Sequence, residues 1–94
     1  MEIPYNTDKN DRKEKLTKKI LDGLNECGYG SISIEYDGLF PEEMGREIGL
    51  AFSEKGYYSR LTFFRDTNEF SELSVSKTPL SENRGSKVYC EFIA

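Results

Sequence analysis

The side chains of this chain that could do chemistry are carboxylates, because its 94 residues include no histidine. Histidine-dependent triads are therefore excluded, and the commonest metal ligand is absent. Glu43 and Glu47 lie four residues apart on a predicted helix, a spacing that can hold a divalent cation. Glu42 and Arg46 have the same spacing and form an ordinary surface ion pair. We treat Glu42, Glu43 and Glu47 as a secondary acidic surface, and a carboxylate-dependent metal enzyme as a distant alternative.

No other motif points to a reaction. Cys27 and Cys90 match no metal-binding spacing, and both fall on apolar stripes, so we expect two buried, reduced thiols. Residues 83–87 lack the upstream glycine and the strand-to-helix setting of a phosphate-binding loop. The sequence thus predicts a protein without catalysis, cofactor or metal.

A second candidate site is the outer face of a predicted sheet. Two predicted strands, 57–65 and 87–93, each place aromatic residues on this face, and we orient the second by expecting Glu91 to face water. If both helices cover the other face, no segment remains to cover this one. Exposed aromatics around an arginine are typical of a protein-binding hot spot, unless the sheet curls and the rings complete the core. The predicted partner-binding residues are Tyr58, Arg60, Phe64, Tyr89 and Ile93.

The charge of the chain distinguishes between the functions that such a surface could have. The net charge is −4, and residues 23–94 carry seven Lys and Arg against twelve Asp and Glu. Because affinity for nucleic acid comes from clustered cations, an acidic body argues against it. We therefore expect a small, acidic, non-catalytic protein-binding module of the inhibitor or adaptor type. Its partner would be a protein with a basic surface, or a second copy in a homodimer. Single-stranded nucleic-acid binding through the sheet aromatics is the alternative.

The elements that position these residues form a near-repeat. A helix, a Gly-Tyr step and a strand occur twice, 28 residues apart, so that Gly28 aligns with Gly56. Each glycine stands where a helix end needs a left-handed residue. A helix between two strands favours a parallel pair, and the turn at residues 66–69 favours an antiparallel hairpin.

The predicted fold is a small α/β (α+β) domain of order α-β-α-β-β-β. It has a four-stranded mixed sheet with two helices packed on one face, built from helices at 11–27 and 41–55 and strands at 31–36, 57–65, around residues 73–75, and 87–93. Glycines on the core faces of both helices predict close backbone approach. Residues 1–9 are expected to be a flexible tail and residues 10–94 the domain. The chain has no apolar run of membrane-spanning length and no signal-peptide pattern, so we expect a cytoplasmic protein.

Overall fold

The structure is a computed structural model that describes residues 5–81, 85 and 87–93. Its elements are α1 (Tyr5–Cys27), β1 (Tyr29–Ser33), α2 (Ile34–Asp37), α3 (Glu42–Glu54), β2 (Tyr58–Phe64), β3 (Phe70–Ser76) and β4 (Val88–Ile93). The α+β class is confirmed, and the predicted element order differs only by the short helix α2. Helix α1 already includes residues 5–9, which were expected in the tail, whereas residues 1–4 lie outside the described residues.

The four strands form one sheet in the order β1-β3-β2-β4, and every neighbouring pair is antiparallel. The predicted parallel pair, and with it the mixed sheet, is therefore wrong. Strands β2 and β3 form the expected hairpin, and β1 pairs with the free edge of β3 instead of with β2. Strands β1 and β2 run in the same direction with β3 between them, because each is antiparallel to β3.

Strand β1 ends earlier than the alternation of its side chains predicts. Ser33 has extended backbone angles, and its Oγ accepts a hydrogen bond from the N–H of Tyr36 at 3.1 Å. This cap begins α2, so Ile34 and Tyr36 leave the strand that was predicted to run through them. A local side-chain cap has here outcompeted the period-two pattern.

Helices α1 and α3 pack on one face of the sheet, which we call the helix face. The predicted left-handed cap glycines are confirmed, with φ of 78° at Gly28 and 95° at Gly56. The predicted close backbone approach is observed at Gly23 of α1, where an added Cβ would lie 2.8 Å from the Cα of Gly30 in β1. At Gly45 and Gly49 of α3 an added Cβ would meet side chains instead. The buried apolar core consists of Leu16, Ile20, Leu24, Ile32, Phe40, Met44, Ile48, Phe52, Leu61, Phe63, Leu73 and Val75.

Candidate binding surface on the open face of the sheet

We call the face of the sheet opposite the helices the open face. Strand alternation and register show which side chains lie on it. Strand β2 places Tyr58, Arg60, Thr62 and Phe64 there, because Leu61 and Phe63 point into the core. Register extends the open face to Tyr29, Ser31 and Ser33 of β1, Glu72, Ser74 and Ser76 of β3, and Val88, Cys90 and Phe92 of β4.

Three of the five predicted partner-binding residues, Tyr58, Arg60 and Phe64, lie on the open face. The predicted orientation of β4 is wrong, so Tyr89 and Ile93 lie on the helix face instead. Tyr89 stacks on the core residue Phe63 with ring centroids 5.2 Å apart, and Ile93 packs beneath Gly49 of α3.

The observed orientation of β4 places Glu91 in an ion pair with α3. Glu91 does not point away from the helices but accepts two hydrogen bonds from Arg46 of α3, at 3.1 and 2.7 Å. Those bonds lower the pKa of the Glu91 carboxyl below its usual range. In this orientation Val88, Cys90 and Phe92 lie on the open face, where Phe92 is 44% exposed.

The open face is not bare, contrary to expectation, because residues 77–81 of the connection from β3 to β4 lie against it. The guanidinium of Arg60 donates from Nη1 to the carbonyl oxygen of Ser81 in this connection at 2.8 Å. On the β1 side, the Tyr29 hydroxyl donates to Ser74 Oγ at 3.0 Å. Ser74 and Thr62 are buried. Arg60 is thus held by its contact with Ser81.

An apolar groove remains at the end of the sheet where β2 begins. It has a volume of about 380 Å³, and we call it the Tyr58 groove. Tyr58 and Phe92 flank it with 47% and 44% of their surfaces exposed. Its lining residues are Ser53, Gly56, Tyr57, Tyr58, Ser59, Pro79, Leu80, Phe92 and Ile93.

The hydroxyl groups of the two lining serines already have partners. Ser53 Oγ donates to the carbonyl of Ile93 at 3.1 Å, and Ser59 Oγ donates to the carbonyl of Gly49 at 2.8 Å. The groove therefore presents mainly apolar and aromatic surface, which suits an apolar side chain or a ring.

Phe64 does not belong to this groove. It lies six residues from Tyr58 along β2, which corresponds to roughly 20 Å. It is equally exposed, at 44%, but stands at the opposite end of the sheet. The predicted five-residue cluster is thus divided among the two ends and the middle of the open face and the helix face. Sequence reasoning missed Phe92, because the alternation in residues 88–93 fits either orientation of the strand.

The three glutamates of the secondary acidic surface do not act as one cluster, because two of them are in ion pairs. Glu42 pairs with Arg46 at 2.7 Å, Glu47 pairs with Lys13 at 3.1 Å, and Glu43 is exposed. Among the residues that the structure describes, no three or more histidine, cysteine or acidic side chains come together as a metal site would require.

An apolar protrusion follows β1, where Tyr36 and Leu39 are 81% and 83% exposed. Arg12 of α1 holds this segment by donating to the carbonyl oxygens of Asp37 and Leu39. Burial raises the pKa of Asp37, but hydrogen bonds from Lys19 and from the N–H of Ser33 outweigh it, and the net pKa is lowered. Sequence reasoning missed the protrusion because it assigned Tyr36 to a strand.

The cysteine prediction is wrong for Cys27, which is exposed, whereas Cys90 is half-buried.

Of the helices in the described part of the chain, none combines the length and apolarity needed to cross a membrane. No protein-family model matches this chain, and neither a curated protein nor a solved structure matches it significantly.

Proposed function

We propose that this chain is a small, non-catalytic protein-binding module that holds an apolar side chain of its partner in the Tyr58 groove. The observation that carries the proposal is the pair of half-exposed rings, Tyr58 and Phe92, flanking an apolar concavity. Aromatic residues around a pocket supply most of the binding free energy in protein interfaces, because they bury a large area with few rotatable bonds.

The net charge of the chain indicates which kind of partner is favoured. The chain has a net charge of −4, so a protein with a basic surface around the contact is favoured, as for an inhibitor or adaptor. The proposal includes a cytoplasmic setting, where an exposed thiol such as that of Cys27 stays reduced.

A second candidate function is single-stranded nucleic-acid binding. The observation that favours it is that Tyr58 and Phe92 are exposed on adjacent strands of one sheet face, an arrangement on which bases can stack. It ranks second because Arg60, the arginine of that face, is bonded to Ser81.

The test compares the double variant Tyr58→Ser/Phe92→Ser with wild type and with Phe64→Ser. Phe64 is the matched control, because it is as exposed as Phe92 and lies on the same face but outside the groove. Each protein is immobilised and exposed to a native lysate, and the retained proteins are quantified by mass spectrometry. Circular dichroism verifies that all three are folded.

The expected result is a protein that wild type and Phe64→Ser retain and that the double variant loses. The purified partner should then bind the double variant at least about tenfold more weakly in calorimetry. Equal retention by all three proteins contradicts the proposal. Binding of labelled single-stranded DNA or RNA that falls steeply with salt, and that the double variant lacks, supports the second candidate instead.

A further inference from the structure

The Tyr58 groove and the protrusion that follows β1 lie towards opposite ends of the sheet. Strands β1 and β2 run in the same direction, with the groove at the beginning of β2 and the protrusion after the end of β1. Ser33 and Thr62 both pair with Glu72. The end of β1 is therefore level with Thr62, roughly 13 Å along β2 from Tyr58. Only a second copy of the chain can bring a protrusion to the groove.

The protrusion has a fixed backbone and exposed side chains. Arg12 of α1 donates to the carbonyl oxygens of Asp37 and Leu39, and Lys19 pairs with the Asp37 carboxylate at 2.6 Å. Tyr36 and Leu39 are nevertheless the most exposed large apolar side chains among the described residues. A segment that is already held in one conformation loses little conformational entropy on binding, so it is suited to insertion into a pocket.

The size of the groove indicates what kind of occupant it takes. Its volume of about 380 Å³ lies near the lower end of the range for pockets that enclose a small ligand. Its lining is mainly apolar and aromatic, because the hydroxyl groups of its two serines are already bonded to carbonyl oxygens. The groove therefore has room for one or two apolar side chains, which is the number that the protrusion presents.

The free charge on the protrusion is negative. Residues 34–43, the segment that includes the protrusion, contain four acidic residues and no lysine or arginine. Asp37 and Glu42 are paired with cations of α1 and α3. Glu35 and Glu43 are exposed, and neither forms an ion pair within the described part of the chain.

The free charge beside the groove is positive. Lys55, the C-terminal cap of α3, is exposed and has no ion-pair partner among the residues that the structure describes. The preceding residue, Glu54, lies seven residues after Glu47 and so on the side of α3 that faces α1. Ser53, by contrast, lines the groove. The charges at the two ends are therefore complementary.

We propose that the Tyr58 groove of one copy of this chain takes the protrusion of a second copy. In this contact the two apolar side chains of the protrusion enter the groove, and Glu35 lies beside Lys55. The inference rests on the proposed function, because it assigns an occupant to the same groove. Such a contact is heterologous, so copies add head to tail unless the rotation closes a ring. A partner with a basic surface uses the same groove, so partner binding and self-association exclude each other.

Two variants, each lacking one half of the contact, test the proposal. Tyr36→Ser/Leu39→Ser, the protrusion variant, leaves every groove residue unchanged. Tyr58→Ser/Phe92→Ser, the groove variant, leaves the protrusion unchanged. Neither variant can extend a head-to-tail chain by itself, but a mixture of the two contains one intact groove and one intact protrusion for each pair of chains. The mixture should therefore form a complex of two chains and no more.

Sedimentation equilibrium in reducing buffer, at concentrations up to about 1 mM, measures the association, because contacts of this small size are weak. The matched controls are Phe64→Ser and Leu50→Ser, which truncate side chains that are each 44% exposed and lie outside both surfaces. We expect the average mass of wild type and of both controls to rise above that of a single chain. Each double variant alone should remain a single chain, and their equimolar mixture should reach the mass of two chains.

Three results would overturn the proposal: a wild type that is a single chain at every concentration, a folded double variant that associates as wild type does, or a mixture of folded variants that stays at the mass of one chain. Circular dichroism verifies the fold, and Tyr58→Ser replaces the groove variant if that one does not fold. Glu35→Lys should weaken the association of wild type about threefold. Unchanged association of Glu35→Lys would overturn the placement of Glu35 beside Lys55.

The protrusion variant also separates self-association from the proposed function. Because its groove is intact, it should retain the same lysate protein as wild type. If it does so while wild type does not self-associate, the proposed function stands and the second copy is the wrong occupant. If wild type passes the sedimentation test but the groove variant retains every lysate protein that wild type retains, self-association stands and the proposed function is wrong.

Discussion

Arg46 of α3 and Glu91 of β4 are joined by two parallel hydrogen bonds, Nη1 to Oε1 at 3.1 Å and Nη2 to Oε2 at 2.7 Å. The same guanidinium donates from Nε to Glu42 at 2.7 Å, so one arginine links two carboxylates. This link lies on the same side of β4 as Tyr89 and Ile93, which pack against the core, so Phe92 lies on the open face.

The first prediction concerns pH. The pKa of Glu91 is lower in the folded chain than in the unfolded chain, where it is about 4.3. Its contribution to stability is therefore present above the unfolded pKa and is lost as pH falls through the folded pKa. We expect urea unfolding between neutral and acidic pH to show this loss.

In Glu91→Gln that part of the pH dependence should be smaller. Asp37 also has a lowered pKa, so Asp37→Asn provides the comparison that separates the two carboxyls. If the free energy of unfolding of Glu91→Gln depends on pH as steeply as that of wild type, the pair does not contribute to stability.

A second prediction concerns the contact of β1 with α1. An added Cβ at Gly30 would approach the backbone of Ile20, which cannot rotate away as a side chain can. We expect Gly30→Ala to lower the free energy of unfolding by about 1–3 kcal/mol. Ser31→Ala, on the open face of the same strand, is the control and should change stability much less. Equal stability of the two variants would show that α1 and β1 are not close-packed here.

Thiol reactivity distinguishes the two cysteines. Cys27 is exposed, whereas Cys90 is half-buried. We expect a thiol reagent to label Cys27 rapidly under native conditions and Cys90 more slowly, with equal rates after unfolding. Cys27→Ser and Cys90→Ala, measured separately, assign the two phases. Faster labelling of Cys90 would contradict the observed burial.

The protrusion at Tyr36 and Leu39 should depend on Arg12. Its guanidinium donates to two carbonyl oxygens, of Asp37 and Leu39, and lysine keeps the charge but not the planar fork of donors. We expect Arg12→Lys to speed hydrogen exchange of the amides in residues 36–40, with a smaller effect on β2. Lys15→Arg, at an exposed site on α1, is the control. Unchanged exchange in Arg12→Lys would show that other contacts hold the segment.

Local patterns in the sequence predicted much of the fold. Gly28 and Gly56 adopt the left-handed conformation because each follows a helix that must end, and this requirement is visible without the rest of the chain. The alternation around Leu61 and Phe63 correctly separated the two faces of β2. Such features depend on neighbours within a few residues, which a sequence displays directly.

What only the tertiary structure decided was which elements meet. An antiparallel partner for β1 was available at the free edge of β3, and strand alternation alone does not choose between strands. Alternation in residues 88–93 likewise fits either face. The observed orientation, with Tyr89 and Ile93 packed against the core and Glu91 bonded to an arginine 45 residues earlier, was not predicted. The contact of Arg60 with Ser81, 21 residues along the chain, is likewise not indicated by alternation. These outcomes arise because long-range contacts compete for the same edges and faces. A period-two pattern indicates which side chains share a face of a strand, but not which element packs on that face.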